Sequence, residues 1–515
     1  MSATQPAAAP MDVLGEEIPQ YSHRQIMLIM SGLAVGLLLG SLDQTIVTTA
    51  LTRISEDFHR TDLYSWVVTA YLLTSTASTP LYGKISDQFG RKRIFQASIV
   101  IFLIGSALSG LSQNMYQLIA FRAVQGLGAG GLMTLAIAIV GDVIAPRERG
   151  RYQGYFGVIF AFSSVVGPLV GGFFVDQASW RWVFYINLPI GLAGLVLINR
   201  VLKLDHRARR ARIDVAGSAM IVGGVSLLLI GVQIAGAAAR ITPTAWAWMV
   251  PGVVLLLGFV WWESRAAEPI IPLHLFRNRV FAVCNILGFI SGTVMFGALL
   301  FVPEYFQLVR GVSPTISGFR MLPMLAGVLV TSISSGRAVS RLGRYKIFVI
   351  AGTAILAVGV GLMSLLTIST GAWIISGMLF VVGMGMGLFM QILTIAVQNA
   401  LSREFMGVGT ASVTFFRTLG GAVGAAVLGA VLLLNQRRSL PGYTARYGPG
   451  THATNLAFVH GMDKSFLYAL PAAVLAFLLS FLLREVKLRS SGPVASTPAA
   501  EEAGPAGVSL DSVIG

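Results

Sequence analysis

The amino-acid sequence predicts an all-α protein that crosses a membrane many times, and its composition is the first observation behind this fold class. Of its 515 residues, 55% are apolar and 11% are charged, whereas soluble domains carry roughly 25% charged residues. A chain this apolar lacks the polar surface that several soluble domains would need. The composition therefore excludes an ordinary cytosolic enzyme and a disordered protein.

The second observation is a series of apolar stretches about 20 residues long, the length that a helix needs to cross the hydrocarbon core. The glycine-rich stretch 214–236 and the stretch 317–336, which contains Arg320, carry the weakest signals. The fourteen predicted spans, in chain order, are 26–49, 64–82, 94–112, 115–141, 152–174, 182–202, 214–236, 245–262, 281–303, 317–336, 347–367, 371–398, 408–434 and 466–484.

The third observation is the uneven distribution of Lys and Arg between the two sets of loops. If the N-terminus is cytoplasmic, the loops and tails on that side hold 25 Lys and Arg residues, and the loops on the other side hold 9. Because positively charged loops remain in the cytoplasm, both termini are predicted to be cytoplasmic. Residues 1–24 lack the basic start of a signal peptide, and the tail after Arg489 has a composition typical of disorder.

Several other classes of protein are disfavoured. The net charge of +15 arises from short basic clusters between apolar stretches, so nucleic acid is not a predicted partner. The single cysteine, Cys284, lies in an apolar stretch, and the six histidines are predicted in loops or at termini, so no metal or redox site is expected. The sequence has no phosphate-binding loop for ATP, no H-E-x-x-H motif and no nucleophile elbow. We therefore expect neither an enzyme nor a bound cofactor.

Two basic loops resemble each other and indicate an internal repeat. GKISDQFGRKR at 83–93 and GRAVSRLGRYK at 336–346 share two glycines and an arginine at an offset of 253 residues. The repeat is displaced by eight predicted spans, whereas parallel repeats of six helices are a known transporter architecture. Two extra spans would therefore lie between two six-helix bundles. The predicted regions are an N-terminal tail (1–25), a first bundle (26–202), two inserted helices with their loops (203–265), a second bundle (266–485) that includes an outside loop (435–465) interpreted as a solvated connector, and a C-terminal tail (486–515).

Two charges lie deep within predicted spans. Asp43 is about six residues from the outer end of span 1, and Arg122 is about seven residues from the outer end of span 4, so both lie roughly 10 Å below the outer surface. A charge at this depth is costly unless it is paired or hydrated. An acid that faces water and is switched by a nearby arginine can take up and release a proton, although a purely structural ion pair is the alternative. Gln125 lies one turn deeper than Arg122 on the same face, where it can hydrogen-bond substrate or water.

The first basic loop combines glycines, one acid and a basic cluster, which together suit a conformational latch. Glycines permit close helix approach and a tight turn. The acid, Asp87, can pair across the loop or cap a neighbouring helix N-terminus, and Ser340 takes its place in the second copy. The alternative is a basic loop that only sets the topology. The candidate latch residues are Gly83, Asp87, Gly90, Arg91 and Arg93.

Span 5 contains the segment GVIFAFSSVVGPLVGG at 157–172, with small residues and a proline. Small residues let membrane helices pack closely, and proline within a helix marks a kink site. Small-xxx-small spacing alone is common in membrane helices, whereas the complete G…GPxxGG arrangement is more specific. The candidate hinge residues are Gly167, Pro168, Gly171 and Gly172.

These motifs occur in an order that resembles the fourteen-span drug:proton antiporter family of the major facilitator superfamily, the bacterial multidrug exporters of quaternary ammonium compounds and lipophilic toxins. The resemblance covers roughly residues 25–485. The segments that carry it are LDQTIVTTAL (42–51), the loop 83–93, RAVQGLGAGG (122–131), GPLVGG (167–172), SWRWVFYINLPIG (179–191), YFQLVRGVSPTISG (305–318) and FFRTLGGAVG (415–424).

The resemblance implies the major facilitator fold, with two six-helix bundles plus two extra helices, and transport by rocking of the two halves. It implies export of lipophilic, cationic compounds across the cytoplasmic membrane of a bacterium, with the proton as the coupling ion. A monomer is expected, and Asp43 with Arg122 would couple protons. The residues that match family motif positions are Asp43, Asp87, Arg91, Arg122, Gln125, Gly167, Pro168 and Arg417.

The residues that contact substrate are less specified by the sequence. Glu304 departs from the family pattern and is either a protonatable or cation-attracting group at the outer mouth or a glutamate in interfacial water. Gln391 and Gln398 are pore residues or helix–helix hydrogen-bonding groups, and no deep acid accompanies Arg417, which argues against dications. The alternative function is export of one natural product, siderophore or lipid through the same scaffold. The candidate substrate or pore residues are Tyr71, Gln125, Glu304, Gln391 and Arg417.

Overall fold

The fold was examined in a computed structural model, which describes residues 23–60, 63–144, 146–202, 214–238, 240–266, 268–402, 405–486 and 488. Within these ranges the chain is helical and contains no β-strand, so the described part has the predicted all-α fold. The predicted tails, up to residue 22 and from residue 489, lie outside the described residues, as does the basic segment 203–213.

Seven described helices form the N-terminal half, and polar caps and glycines set their ends. The Asn114 side chain accepts a hydrogen bond from the Gln117 N–H at 2.9 Å at the start of one helix, which satisfies a free helix-end donor. Gly90, with a φ of 98°, makes the turn between two others. These helices are α1 (His23–Asp57), α2 (Tyr64–Phe89), α3 (Arg91–Leu111), α4 (Met115–Val143), α5 (Pro146–Gln177), α6 (Trp182–Tyr185) and α7 (Asn187–Val201).

Nine further described helices follow. Thr242 and Ser313 cap two of them, each just before a proline that is suited to the first helical turn because it needs no N–H partner. A short 3₁₀ helix, Leu273–Arg277, precedes the C-terminal half. The nine are α8 (Val215–Ala238), α9 (Pro243–Glu263), α10 (Arg279–Leu308), α11 (Pro314–Phe319), α12 (Leu322–Leu342), α13 (Lys346–Met363), α14 (Ala372–Ala400), α15 (Met406–Tyr447) and α16 (Thr451–Ser480).

Each predicted span overlaps one or two described helices, and eleven helical stretches are long and apolar enough to cross a membrane. Two of the eleven join a short helix to its successor, α6 to α7 and α11 to α12. Helices α2 and α5 are not among them, and α10 contributes only the shorter apolar stretch Arg279–Met295. The number of fourteen spans therefore stays a prediction.

The predicted outside loop 435–465 is helical apart from residues 448–450, so its assignment as a loop was wrong, whereas its interpretation as a solvated connector stays a prediction. Helix α15 has 42 residues, and only residues 448–450 separate it from α16. The two helices pack closely because a Cβ added at Gly461 would lie 2.5 Å from the Leu432 carbonyl oxygen. This tertiary contact outweighs the local helix-breaking signals, Pro441 included. Two histidines predicted in loops, His452 and His460, consequently lie in α16.

Helix α8 packs against both halves, through α2 and α15, and α9 packs on α8. Their apolar side chains share a buried cluster with Ala77 of α2 and Phe415 of α15. Beside this cluster, Lys84 Nζ forms an ion pair with Glu268 Oε2 at 2.8 Å, between the end of α2 and the segment after α9. Each half also has its own apolar core, around Phe95 and Phe102 in the first and around Phe281 and Phe389 in the second.

Candidate functional site

The two deep charges predicted from the sequence, Asp43 of α1 and Arg122 of α4, form a buried ion pair. Arg122 Nη1 donates to Asp43 Oδ2 at 2.6 Å, and the exposed fractions are 0% for Asp43 and 1% for Arg122. Gln125, one turn along α4, accepts from Arg122 Nη1 at 2.7 Å and donates through Nε2 to Asp43 Oδ1 at 2.8 Å. The three side chains therefore close a ring of charge-assisted hydrogen bonds, the strongest class in proteins.

Asn187 of α7 is a fourth member of this group that the sequence reasoning missed. Its Nδ2 donates to Asp43 Oδ1 at 3.1 Å and to Ser106 Oγ at 3.0 Å. An Asn within an apolar span requires a polar partner, so its position in the predicted span 182–202 was the available signal. We name Asp43, Arg122, Gln125 and Asn187 the Asp43 cluster.

Glycines hold α3 and α4 in direct backbone contact around the Asp43 cluster. A Cβ added at Gly105 of α3 would lie 2.5 Å from Gln125 Cα, and one at Gly128 would lie 2.7 Å from Phe102 Cα. Only glycine allows backbones to approach this closely. The RAVQGLGAGG segment thus fixes Arg122 and Gln125 within a tightly packed wall.

Tyr71 of α2 separates the Asp43 cluster from a cavity between the two halves. The Arg122 Cζ lies 4.2 Å from the Tyr71 ring centroid, a cation–π contact, and the Tyr71 hydroxyl donates to the Gly40 carbonyl oxygen at 3.4 Å. The cavity has a volume of about 60 Å³. Its lining residues are Gly36, Leu37, Gly40, Ser41, Gln44, Tyr71, Ser75, Thr79, Ala129, Gly130, Leu132, Met133, Thr134, Thr414 and Thr418.

The predicted substrate residues are not all brought to this cavity. Tyr71 lines it, whereas Gln125 is fully buried in the Asp43 cluster, so the placement of Gln125 in the pore was wrong for this conformation. Gln391 is half-buried on α14, and Glu304 is exposed near the end of α10. Arg417 of α15 reaches across to the first half, where its Nη2 lies 3.8 Å from Met133 Sδ.

Asp87 of the predicted latch joins three elements. Its Oδ1 forms an ion pair with Arg91 Nη2 at 2.5 Å, and its Oδ2 accepts from the Val408 N–H at 3.2 Å, at the N-terminus of α15. Arg91 Nε also pairs with Asp142 Oδ2 of α4 at 2.7 Å. Both roles expected of Asp87, pairing within the loop and capping another helix, are therefore present together.

Gly83 and Gly90 provide the backbone of this latch. A Cβ added at Gly83 would lie 2.5 Å from Ala411 Cβ and 2.9 Å from the Gly407 carbonyl oxygen, so α2 and α15 touch at this point. Gly90 has a φ of 98°, which favours glycine. Arg93 is exposed. It lies two residues after Arg91 and therefore on the opposite face of α3, so its inclusion in the latch was wrong.

Asp87 lies beyond the predicted span 64–82 and is largely buried in the latch. The pKa of Asp87 is raised from the ordinary 3.8 to about 6: burial is the main cause and the neighbouring Asp142 adds to it, while Arg91 and the Val408 N–H lower the pKa. Taking this carboxylate out of water therefore costs more than its partners return. The latch is thus poised to respond to mildly acidic pH.

The two halves meet on the side of the α2–α3 loop, which is predicted to be cytoplasmic. Besides the bond between Asp87 and Val408, Gln398 of α14 donates to the Ile137 carbonyl oxygen of α4 at 3.4 Å and to Thr410 Oγ1 at 3.0 Å. Gln398 thus takes the helix–helix role and not the pore role. We name this arrangement the closed-latch conformation.

Two of the candidate hinge glycines on α5 pack against α1. A Cβ added at Gly167 would lie 2.6 Å from Thr45 Cβ, and one at Gly171 would lie 3.0 Å from the Ile46 carbonyl oxygen. Nothing lies within 4 Å of a Cβ added at Gly172, so the small-residue contact does not extend to that position. Pro168 lies within α5, which is one helix from Pro146 to Gln177; a hinge there stays a prediction.

Comparisons with known proteins agree with this architecture. The sequence profile of the Major Facilitator Superfamily matches residues 33–425. The chain is 39% identical to the multidrug transporter protein MdtP of Bacillus subtilis over 411 residues, 79% of this chain and 75% of that protein. It is 37% identical to the efflux pump dotC of the fungus Dothistroma septosporum over 432 residues, 82% of this chain and 74% of that protein.

Among solved structures, the proton:xylose symporter XylE superposes with a TM-score of 0.63 over 91% of this chain and 98% of that one. The sequence identity is 14%, so this likeness concerns the fold alone.

Proposed function

The chain belongs to the Major Facilitator Superfamily, and from this premise we propose that it is a proton-coupled antiporter that exports lipophilic organic molecules. Membership of this family, together with relatives named as a multidrug transporter and an efflux pump, indicates that the protein is a membrane transporter and not an enzyme. Proton coupling, the antiport direction and the fourteen-span subfamily are the proposed additions. So are a bacterial cytoplasmic membrane, cytoplasmic termini and a monomeric state.

The observation that supports proton coupling is the Asp43 cluster. Its carboxylate accepts three hydrogen bonds, from Arg122, Gln125 and Asn187, and is wholly buried. A buried carboxylate remains charged only while its partners stay in place. When a conformational change within the N-terminal half moves α4 relative to α1 or α7, Asp43 must either regain water or take up a proton. We propose that this exchange couples the proton to the conformational change.

A dedicated exporter of one natural product is the second candidate. The 37% identity to a fungal efflux pump supports this alternative. It does so to the same degree as the identity to a bacterial multidrug transporter supports a multidrug exporter. The Asp43 cluster and the latch would serve both. The candidates differ in the breadth of compounds that enter the cavity, which a substrate panel distinguishes.

The proposed function is tested by dye transport in inverted membrane vesicles from cells that lack their own exporters. Respiration acidifies the vesicle lumen, so a proton antiporter accumulates lipophilic dye there, and the panel contains cationic, anionic and neutral dyes. We expect accumulation that an uncoupler abolishes. Asp43→Asn is expected to insert normally and lose the proton-driven part. Glu56→Gln, the same carboxyl-to-amide change at an exposed position of α1, is the control and is expected to transport normally.

Two results would contradict the proposal. If uncoupler leaves accumulation unchanged, transport is not driven by protons. If Asp43→Asn transports as well as Glu56→Gln, another group carries the proton.

A further inference from the structure

The substrate class can be inferred from the charges that surround the cavity. Asp43 is the deep acid closest to it, but its charge is cancelled by Arg122, and both side chains are buried behind the Tyr71 ring. A substrate in the cavity therefore does not meet a free carboxylate at this point. Protonation of Asp43 would leave Arg122 without its counter-ion, so the local charge changes from neutral to positive and is never negative.

Arg417 is the charged group that remains. Its backbone packs on α10, where a Cβ added at Gly292 would lie 3.0 Å from the Arg417 carbonyl carbon, and its side chain crosses to Met133 of α4 at 3.8 Å. A thioether is a weak acceptor, and no described carboxylate forms an ion pair with Arg417. An arginine in a protein does not lose its proton. Most of its five N–H donors are therefore available to a ligand.

Arg417 is not itself a lining residue of the cavity, but it borders the cavity and lies near the middle of the membrane. Met133, which it contacts, and Thr414 and Thr418, on either side of it in α15, all line the cavity. Arg417 is 11 residues from the start of α15 at Met406, which corresponds to about 16 Å of helix. Met133 is 10 residues from the end of α4 at Val143, or about 15 Å. The two depths agree, as the contact requires.

The cavity lining is polar but uncharged, so it adds no negative charge beside Arg417. Six serine and threonine hydroxyls, one tyrosine hydroxyl and one glutamine belong to the described lining, which contains no Asp or Glu. The nearest described acid on α10, Glu304, is 12 residues from Gly292, about 18 Å along the helix, and is exposed at the far end. Asp463 lies on α16, two residues before Ser465. Ser465 donates to the Leu428 carbonyl oxygen of α15, which is 11 residues, or about 16 Å, beyond Arg417.

We infer that the cavity binds an organic anion, a lipophilic molecule with a carboxylate, sulfonate or similar acidic group, and that Arg417 holds this group. This inference rests on the proposed export function and specifies its substrate class. It replaces the cationic substrate that the family resemblance implies. Arg417 donates to the acidic group, the hydroxyls of Thr414 and Thr418 are beside it, and the apolar body of the substrate lies along Leu37, Leu132 and Met133 of the cavity wall.

Binding measurements with two ions of the same shape and opposite charge test the inference. The purified full-length protein in lipid nanodiscs is titrated with tetraphenylborate and with tetraphenylphosphonium, and empty nanodiscs supply the background from lipid partitioning. The variants are Arg417→Gln, Arg417→Lys and the control Arg437→Gln, which removes an exposed arginine from the same helix. Thermal unfolding of each variant checks that it is folded.

The wild type is expected to bind tetraphenylborate more tightly than tetraphenylphosphonium. Arg417→Gln is expected to weaken tetraphenylborate binding about 10- to 100-fold, because the anion loses the nearby positive charge in a partly buried site, and to leave tetraphenylphosphonium binding equal or tighter. Arg417→Lys retains the charge and is expected to keep part of the affinity. Arg437→Gln is expected to bind as the wild type does.

Three outcomes would overturn the inference: a wild-type preference for the cation, equal tetraphenylborate binding by wild type and Arg417→Gln, or no saturable binding of either ion. If Arg417→Gln does not fold, the wild-type preference and Arg417→Lys still decide. None of these outcomes depends on transport, so proton-driven dye accumulation in vesicles can persist while the inference fails. Conversely, anion binding without proton-driven transport would contradict the proposed function and not the binding site.

Discussion

Gly83→Ala is expected to shift the protein out of the closed-latch conformation. The added methyl group would lie 2.5 Å from Ala411 Cβ and 2.9 Å from the Gly407 carbonyl oxygen, roughly 1 Å closer than ordinary contact. Neither neighbour can turn aside, because one is a methyl fixed to the backbone and the other is backbone. Overpacking of this kind costs about 1–3 kcal/mol.

The cost applies to one conformation only, since the contact joins α2 to α15 and separates when the halves rock. The gain in helix propensity from Gly to Ala, about 0.5–1 kcal/mol, is the same in both conformations and cancels. A penalty of about 1–3 kcal/mol should lower the ratio of closed to open molecules about 5- to 150-fold.

The matched control is Gly377→Ala on α14. It makes the same change within a helix, but nothing lies within 4 Å of the added Cβ. We expect Gly377→Ala to leave the equilibrium unchanged.

The assay is a distance distribution between two spin labels by double electron–electron resonance. Labels at the exposed residues Phe89 and Ser402 report the separation of the halves on the latch side. Cys284 is the single cysteine and is buried, so Cys284→Ala gives a clean background. A longer-distance population should grow in Gly83→Ala alone. The same distribution in Gly83→Ala and Gly377→Ala would show that the α2–α15 contact does not control the equilibrium.

Three further predictions concern the latch, the Asp43 cluster and the energy source. Burial raises the pKa of Asp87 from 3.8 to about 6 in the closed latch, so protonation favours this conformation. The closed fraction should therefore rise as the pH falls from about 6 to about 4 and stay constant above about 6. In Asp87→Asn the closed fraction should not respond to pH. The spin-label distances measure this, and a closed fraction that falls with acid would reverse the argument. Asn187→Leu removes a charge-assisted hydrogen bond to Asp43, which is worth about 1.5–3 kcal/mol. Proton-driven dye accumulation should therefore fall at least about tenfold in Asn187→Leu, while Asn187→Gln should retain part of it. Unchanged accumulation in Asn187→Leu would show that Asn187 is dispensable. Exchange of an anion for a proton moves two charges across the membrane, which is worth about 4.6 kcal/mol per 100 mV of membrane potential. A potassium diffusion potential imposed without a pH gradient should therefore drive accumulation of an anionic dye. Accumulation that depends on the pH gradient alone would contradict this prediction.

The sequence predicted the ion pair because depth in a span can be counted. Asp43 and Arg122 are at similar distances from the outer ends of antiparallel spans, and a buried charge needs a partner, so the pairing followed without knowledge of side-chain direction. Asn187 was missed because an uncharged amide can be satisfied by many polar groups, so its presence in a span does not indicate which residue it contacts. Gln125 was placed on the right face, but the face turns into the Asp43 cluster and not into the cavity.

Tertiary packing explains the remaining differences between sequence and structure. The segment 435–465 contains glycine, proline and polar residues, which are local signals for a loop. Its helices are nevertheless extended by contacts between α15 and α16, such as the Ser465 Oγ bond to the Leu428 carbonyl oxygen at 2.9 Å. Gly167 and Gly171 contact α1 whereas Gly172 does not, because adjacent residues on a helix point about 100° apart. The small-residue motif could not show which members meet a neighbour.

Helix α4 connects the proton site to the cavity and constrains how they can be coupled. Arg122 and Met133 lie on this helix 11 residues apart, about 16 Å, and Met133 contacts Arg417. At this distance a charge change at Asp43 alters the energy of an anion beside Arg417 by only about 0.3–1 kcal/mol, and the sign favours binding proton and anion together. Exchange therefore cannot arise from charge competition in the cavity. It must come from the conformations themselves, with the closed latch and the intact Asp43 cluster in one state and the open latch in the other. Asp43→Asn should accordingly bind tetraphenylborate equally or up to about 6-fold tighter, and weaker binding would show that the two sites compete directly.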